Sequence, residues 1–326
     1  IITDNMEEGF LVIDSHTEVL SYNSSALRLL GAREQDARQS VLALNRSESF
    51  QRTVEKVLGG QHVISNQEFQ GITCQVAANP VFQEGKVTGA VILILDVTEK
   101  MKGEQMRREF TANVSHELKT PLTSISGFAE IINDGFVKPE DTKKFAGRIF
   151  KEAQRLITLV NDVIKISQLD EGKLPYEKEE VDLYEAVRET FLRIEDHAKA
   201  EGVHLYLYGP HIKSNTVKTI LDEIIYNLCD NGIKYNKKGG SLTVTISQEG
   251  EKPVVTVEDT GIGISEEDQK RIFERFYRVD KSHSKAIGGT GLGLSIVKHG
   301  TMFLGADMKV ESTLGEGSKF ILILPE

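Results

Sequence analysis

The apolar positions between residues 106 and 125 recur at steps of four and three: Met106, Phe110, Val114, Leu118, Leu122 and Ile125. That spacing draws one stripe down one side of a helix. Asn133-Asp134-Gly135 then signals a turn, and Asp141 or Thr142 can open a second helix after Pro139. The second helix carries Phe145, Ile149, Ala153, Leu156, Leu159, Val160, Val163 and Ile166, and should stop near Glu171-Gly172. A hairpin of two such helices encloses no core of its own. Two hairpins paired as a four-helix bundle would, so a homodimer is expected.

On either side the periodicity changes. Residues 1–97 read as mixed α/β, with short strands at 10–13 and 19–21 and a helical patch at 26–30 ending at Gly31. An extended stretch follows at 69–77, then an apolar run at 87–97 set off by the turn Gln83-Glu84-Gly85-Lys86. From about residue 179 helices and strands alternate, with strands at 242–246, 254–258 and 319–324, the last two having the alternation or β-branching of a sheet covered on one side. The chain is therefore expected to be multidomain α+β, divided as 1–97, 98–178 and 179–326.

Composition narrows the function classes. Of 326 residues, 27% are charged and the formal net charge is −10, which speaks against a nucleic-acid footprint. No apolar run reaches the length of a membrane span, and no signal peptide is visible. Because the chain begins at Ile1 and not at Met, a piece of a longer protein is expected, its membrane anchor lying upstream and this portion in the cytoplasm. Cys74 and Cys229 have no metal-ligand spacing and suit a reducing compartment as small buried hydrophobes.

The segment FTANVSHELKTPLTSISGF lies on the first long helix. His116 is two residues from both Val114 and Leu118, about 200° around the helix from each, and so points away from the apolar stripe. Glu117 sets a carboxylate beside the ring that can hold it or take its proton. Pro121 costs an uninterrupted helix about 3 kcal/mol, which invites a functional reason; a bend there would let a nucleotide domain reach the ring.

SHELKTPLTSI resembles the H-box of sensor histidine kinases of the HisKA/HATPase type. The resemblance implies that His116 is the phospho-acceptor and Glu117 its acid/base helper. It also implies that Thr120 orients water when the partner is dephosphorylated. Four further boxes follow in that family's order. EIIYNLCDNGIKYN resembles the N-box: Asn227 and Asn231 share a helix face, Asn231 offers Mg²⁺ a hard oxygen, Lys234 can meet phosphate and Tyr235 can line the nucleotide. Gly232 stands where the family usually has alanine. VEDTGIGI resembles the G1 box, with Asp259 on the adenine amino group and Gly261 and Gly263 bringing the backbone close. RIFERFYRVD resembles the F-box, with Phe273, Phe276 and Tyr277 as aromatic anchors of a lid and Arg278 or Lys281 reaching phosphate. GGTGLGLSIVKHG resembles the G2 box, where Gly289, Thr290, Gly291, Leu292 and Gly293 lead into a helix whose N-terminus can face a polyphosphate. It is neither a dinucleotide fingerprint nor a P-loop.

The implied fold is a PAS α/β domain, an antiparallel dimeric four-helix bundle (DHp) and a Bergerat-type α/β sandwich like that of gyrase, Hsp90 and MutL. NMEEGFLVID, YNSSALRLLG and GAVILILDVTEK resemble the PAS part, and the wording around His116 is most similar to the PhoR/WalK group. The implied activity uses ATP and Mg²⁺ to phosphorylate His116 and passes the group to an aspartate of a response regulator. The rival readings are an ATPase of the same nucleotide fold and a scaffold that has lost phosphotransfer. In the PAS part Cys74 sits in GITCQVAA, which is not a flavin-photosensor setting, and His16 and His62 read as surface residues and not haem ligands.

Overall fold

The computed structural model describes residues 6–37, 40–171, 177–279 and 289–326. The chain folds as two compact units, Ile1–Thr111 and Ala112–Glu326.

In the first unit five antiparallel strands form one sheet in the order β2-β1-β5-β4-β3, from β1 (Gly9–Asp14), β2 (Val19–Tyr22), β3 (Val63–Phe69), β4 (Ile72–Gln83) and β5 (Lys86–Asp96). Helix α1 (Ser24–Leu30) starts at Asn23, whose buried side chain accepts from the N–H groups of Ala26 and Phe10, each at 2.9 Å. It ends at Gly31 in the left-handed region. Two single-turn helices, α2 (Glu34–Ala37) and α3 (Val41–Leu44), lead to α4 (Glu48–Leu58). Phe50, Val54 and Val57 at helical spacing turn one face of α4 into the core, where Phe50 meets Phe69 edge-on at 5.9 Å. The expected single stretch at 69–77 is two strands: the chain reverses at Gln70 (φ 50°) and Gly71 (φ 81°), pairing Phe69 with Ile72. Positive φ at both central residues is the twist a two-residue hairpin requires.

The second unit begins within α5 (Thr98–Asn133), which runs through Pro121 without a break. Helix α6 (Thr142–Glu171) returns beside it, and Phe128 of α5 meets Phe145 of α6 edge-on at 5.8 Å under the guanidinium of Arg148. Leu122, Phe150, Ile157, Val160 and Ile164 stay exposed, which is the face a second hairpin would cover. Beyond the hairpin, β7 (His204–Tyr208), β9 (Ser241–Glu249), β10 (Lys252–Asp259), β11 (Asp307–Thr313) and β12 (Gly317–Ile323) build a sheet in the order β11-β12-β10-β9-β7, parallel only between β7 and β9. Strands β6 (Glu179–Asp182) and β8 (Lys213–Thr216) form a separate ribbon.

Helices α7 (Leu183–Glu201), α8 (Lys218–Lys234) and α10 (Gly293–Leu304) contribute Val187, Leu221, Ile225 and Val297 to one core with Leu242, Val244, Val255 and Leu322 of the sheet. The single turn α9 (Glu266–Gln269) lies between β10 and α10. Gly232 has a packing reason: a Cβ there would come 2.5 Å from Leu242, so its absence lets α8 lie close beneath β9 and β10. Among the described residues no helix is long and apolar enough to cross a membrane. Cys74 and Cys229 are buried and unpaired with each other, and burial, ahead of the nearby Asp96, pushes the Cys74 thiol up to about 11.

Helix α6 also lies against α8 and α10. Lys165, Gln168 and Leu169 share a groove with Ile220, Glu223 and Ile224 of α8 and with Ile296 and Gly300 of α10, while Ile166 is completely buried. Ile166→Ala should therefore lower the stability of the second unit by about 2–4 kcal/mol. It should also raise amide exchange over the last two turns of α6, both measurable by urea unfolding and hydrogen exchange. A change below about 1 kcal/mol would mean that this packing does not hold the helix.

Candidate active site

His116 projects into solvent, with 81% of its side chain exposed, as its offset from the apolar stripe predicts. Its Nδ1 is 3.9 Å from Glu117 Oε1, and the other carboxylate oxygen is 3.8 Å from Arg155 Nη2 on α6. Both separations exceed hydrogen-bond length, so this is a loose charge cluster and not a fixed relay. One turn on, the Thr120 hydroxyl donates to the His116 carbonyl oxygen at 3.2 Å, the usual local bond of a helical threonine.

Two adjoining cavities lie beyond. The first, about 210 Å³, is mainly apolar and is bounded by Ile262, Ile264, Ile272, Leu294 and Phe320, with Asp259, Gly263, Asn231, Tyr235, Tyr277 and Arg278 also on its wall. Asp259 is the last residue of β10, and its Oδ1 accepts from the Gly261 N–H at 2.8 Å. Burial pushes this carboxyl up to about 6, against the pull of backbone donors at Gly261 and Ser318. Gly263 has φ +69°, and a Cβ on it would fall on the Thr313 carbonyl oxygen. An apolar slot closed by one carboxylate suits a flat heterocycle with an amino group.

The second cavity, about 470 Å³, is polar. Helix α8 presents Asn227, Asn231 and Lys234 to it from one face, with Tyr235 at the helix end, and residues 289–293 close the far side. In that loop Gly291 has φ +73°, and its carbonyl accepts from the Phe276 N–H at 2.9 Å. A Cβ on Gly291 would sit 3.0 Å from the Phe276 α-carbon, and one on Gly293 would sit 2.9 Å from Asn227 Oδ1. The loop can therefore lie against both the aromatic segment and the asparagine only without side chains at these positions. Lys234 is paired with Asp230 on its own helix. Arg278 lines both cavities.

Besides the three residues around His116, several predicted residues line neither cavity. Leu292 is buried in the core, Gly261 acts through its N–H on Asp259, and Phe276 acts through its backbone bond to Gly291. Phe273 packs on the core, and the Tyr277 hydroxyl donates to Asp268 Oδ1 at 2.6 Å. Lys281 and the expected lid at 281–287 lie outside the described residues.

What sequence reasoning missed is the contribution of α6. Arg155, Thr158, Asp162 and Lys165 recur at steps of three, four and three, and all line the polar cavity. The periodicity was legible; the partner of that stripe was not. Thr290 Oγ1 donates to Asp162 Oδ2 at 2.8 Å, and Lys165 Nζ donates to Glu223 Oε1 at 2.7 Å. The same Glu223 oxygen accepts from Asn227 Nδ2 at 3.1 Å. Further along, Asp170 accepts from Arg275 at 2.7 Å and pairs with His299 of α10 at 2.9 Å. Among the described residues no group of three or more His, Cys, Asp or Glu is placed to hold a metal ion. Asn231, on the wall of the polar cavity, could offer one amide oxygen to a Mg²⁺ whose other ligands are phosphate and water.

Comparison with known proteins matches the chain in three stretches. Residues 216–326 match the family described as histidine kinase-, DNA gyrase B- and HSP90-like ATPase, residues 106–172 the His Kinase A (phospho-acceptor) domain, and residues 3–102 the PAS fold. The chain is 32% identical over 335 residues to the sensor histidine kinase WalK of Bacillus subtilis, covering 98% of this chain and 54% of that protein. It is 30% identical to the sensor protein kinase WalK of Staphylococcus aureus, covering 99% of this chain and 80% of that one. The chain thus spans about half the length of the first of these relatives. The solved structure of histidine kinase ThkA in complex with response regulator protein TrrA shares the fold, with a TM-score of 0.54 at 24% identity over 99% of this chain and 97% of that one.

Two outcomes follow for the site. The Asp259 carboxyl titrates higher folded than the usual carboxylate value near 3.8, so the folded protein holds its proton more tightly than the unfolded one. Ionised Asp259 therefore costs stability above pH 6, and the cost fades as pH falls from 6 towards 4. Asp259→Asn should be more stable than wild type at about pH 8 by on the order of 1–2 kcal/mol and lose that advantage by about pH 4.5, while adenosine binding to the wild type should weaken as pH drops below about 6. Thermal melts and calorimetry across that range check both. Gly291→Ala should cost about 1–3 kcal/mol of stability as well as triphosphate affinity, because the methyl meets the Phe276 backbone at a positive φ; a variant as stable as wild type would contradict this placement.

Proposed function

Because the chain belongs to the sensor histidine kinase family, we propose that it phosphorylates His116 from ATP and passes the phosphoryl group to an aspartate of a response regulator. The supporting observation is that one helix touches both halves of the reaction. Arg155 of α6 reaches Glu117 beside the histidine, and Arg155, Asp162 and Lys165 of the same helix line the cavity shared with Asn227, Asn231 and residues 289–293.

In this reading adenine occupies the apolar slot with its amino group on Asp259, and the phosphates extend into the polar cavity. Asn231 would hold Mg²⁺, which when bound neutralises charge on the phosphate oxygens. Nδ1 of His116 faces Glu117, so Nε2 is the nitrogen left to attack. The P–N bond forms as the bond from the γ-phosphorus to its bridging oxygen breaks; ADP leaves, and the Nδ1 proton is held or taken by Glu117. The P–N bond then breaks as a carboxylate oxygen of the regulator's aspartate takes the phosphorus. The regulator docks on the exposed bundle around His116; histidine kinase ThkA has been solved in complex with response regulator protein TrrA. Dimerisation through the exposed apolar face of α5 and α6 completes the bundle. Anchoring in the membrane by segments outside these residues belongs to the same proposal.

His116→Gln should bind ATP as wild type does and acquire no acid-labile phosphate from γ-labelled ATP. Labelling that persists in this variant would mean the acceptor is elsewhere. Thr120→Ala should keep autophosphorylation within several-fold but remove phosphate from the phospho-regulator much more slowly, measured with ADP and Mg²⁺ present. The hydroxyl oxygen keeps lone pairs for a water while its proton bonds the His116 carbonyl. Equal phosphatase rates in Thr120→Ala and wild type, with wild type above the spontaneous rate, would remove that role.

A further inference from the structure

The phosphotransfer reading gives no task to Asp162. Its carboxylate is set against the loop 289–293 from α6, where it accepts a hydrogen bond from the Thr290 hydroxyl. The Thr290 oxygen in turn accepts from the Leu292 N–H at 3.3 Å, so one hydroxyl ties α6 to a backbone donor of the loop. One turn further on, Lys165 grips Glu223, and Glu223 grips Asn227. Each α6 side chain thus reaches a nucleotide-site residue either directly or through one intermediary.

The chemistry of this arrangement opposes a bound polyphosphate. Asp162 is half-buried, and removal from water is the first cause holding its carboxyl above the ordinary range; the Thr290 hydrogen bond, then Lys165 and Lys234, act against that, and Glu223 adds to it. A carboxylate taken out of water is weakly screened, so its repulsion of phosphate oxygens in the same loop is stronger than at an open surface. Phosphate and carboxylate are both acceptors, and a threonine hydroxyl has one proton to give. The Leu292 N–H donates to the same Thr290 oxygen.

We propose that Asp162 and Lys165 form a clasp between α6 and the nucleotide site, and that the phosphates of the nucleotide open it. The proposal rests on reading residues 289–293 as the phosphate cradle. Asp162 is then a positioning residue, holding the loop to the bundle helix while the cradle is empty. By linkage, whatever factor the clasp takes from triphosphate affinity, the triphosphate takes from the clasp. Arrival of ATP thereby loosens the nucleotide domain from α6 and frees it to approach His116, while a ligand without phosphates leaves the clasp closed.

The test uses the full chain with two probes, a non-hydrolysable ATP analogue with Mg²⁺ and adenosine, titrated calorimetrically into wild type, Asp162→Asn and Asp162→Ala. Asparagine keeps an acceptor for Thr290 and removes the charge; alanine removes both. The expected result is triphosphate binding tighter by about 5-fold in Asp162→Asn and at least as much in Asp162→Ala, with adenosine affinity unchanged. In wild type, the analogue but not adenosine should raise amide exchange in residues 160–170. Triphosphate affinity that is unchanged or weaker in Asp162→Asn overturns the clasp, as does an equal shift for both probes, which would indicate general loosening. Should Asp162→Ala fail to fold, the isosteric Asp162→Asn decides alone. A wild type that binds adenosine but no triphosphate overturns the cradle reading and the clasp with it, whereas normal binding of both probes with an indifferent Asp162→Asn overturns only the clasp.

Discussion

Helix α6 has to serve two neighbours with one cylinder. One side pairs with α5 through contacts such as Phe128 on Phe145, and Ile157, Val160 and Ile164 stay exposed. Another buries Ile166 and Leu159 and carries the polar row Arg155, Thr158, Asp162, Lys165 into the nucleotide cavity. A repeat of about 3.6 residues makes this possible, because steps of three and four keep two separate rows apart along thirty residues. Among the described residues this helix carries both the approach to Glu117 and the polar row that lines the larger cavity. Its apolar side attaches through area removed from water, at Leu159 and Ile166. Its polar side adds pairs of modest individual worth, since most are partly exposed.

That division of labour explains why attachment and control can be separated. Burial of Ile166 is indifferent to charge and to the state of the cavity, whereas the bonds from Asp162 to Thr290 and from Lys165 to Glu223 end on groups that a nucleotide would also engage. A contact made only of hydrophobic area would hold the two parts together whatever was bound. A contact that includes acceptor groups competing with phosphate responds to the ligand.

The nucleotide side carries its own tension between stability and function. Asp259 sits at the wall of an apolar slot, where burial works against its ionised form, and two backbone donors recover only part of that cost. The neighbouring glycines adopt backbone shapes or approaches that a side chain would block, with Gly263 against Thr313 and Gly291 against Phe276. Such positions are poor choices for stability alone and good ones for a site that must bring backbone and a single carboxylate close to a ligand. The first unit has a close approach of the same kind, since a Cβ on Gly89 would fall on the Ile13 carbonyl oxygen, and aromatic and aliphatic side chains fill its described core.

The sequence by itself determined the parts that depend on local spacing. The two long helices, the strands at 242–246 and 254–258, the turn at Gly31 and the outward direction of His116 follow from periodicity and from residues with special backbone freedom, and they stand in the structure as expected. The boxes holding Asn227, Asn231, Asp259 and residues 289–293 were legible as chemistry because each is compact in sequence. The reversal at Gln70-Gly71 was overlooked although a two-residue turn is also local; the apolar residues on either side read as one strand when the glycine was not weighed. Only the tertiary structure decided which row of α6 faces the cavity, that Asp162 meets Thr290 across 128 positions, and that Leu292 packs in the core while its neighbours line the site. A helical pattern states which residues share a face but not what covers that face, because the partner's position depends on packing summed over the whole unit.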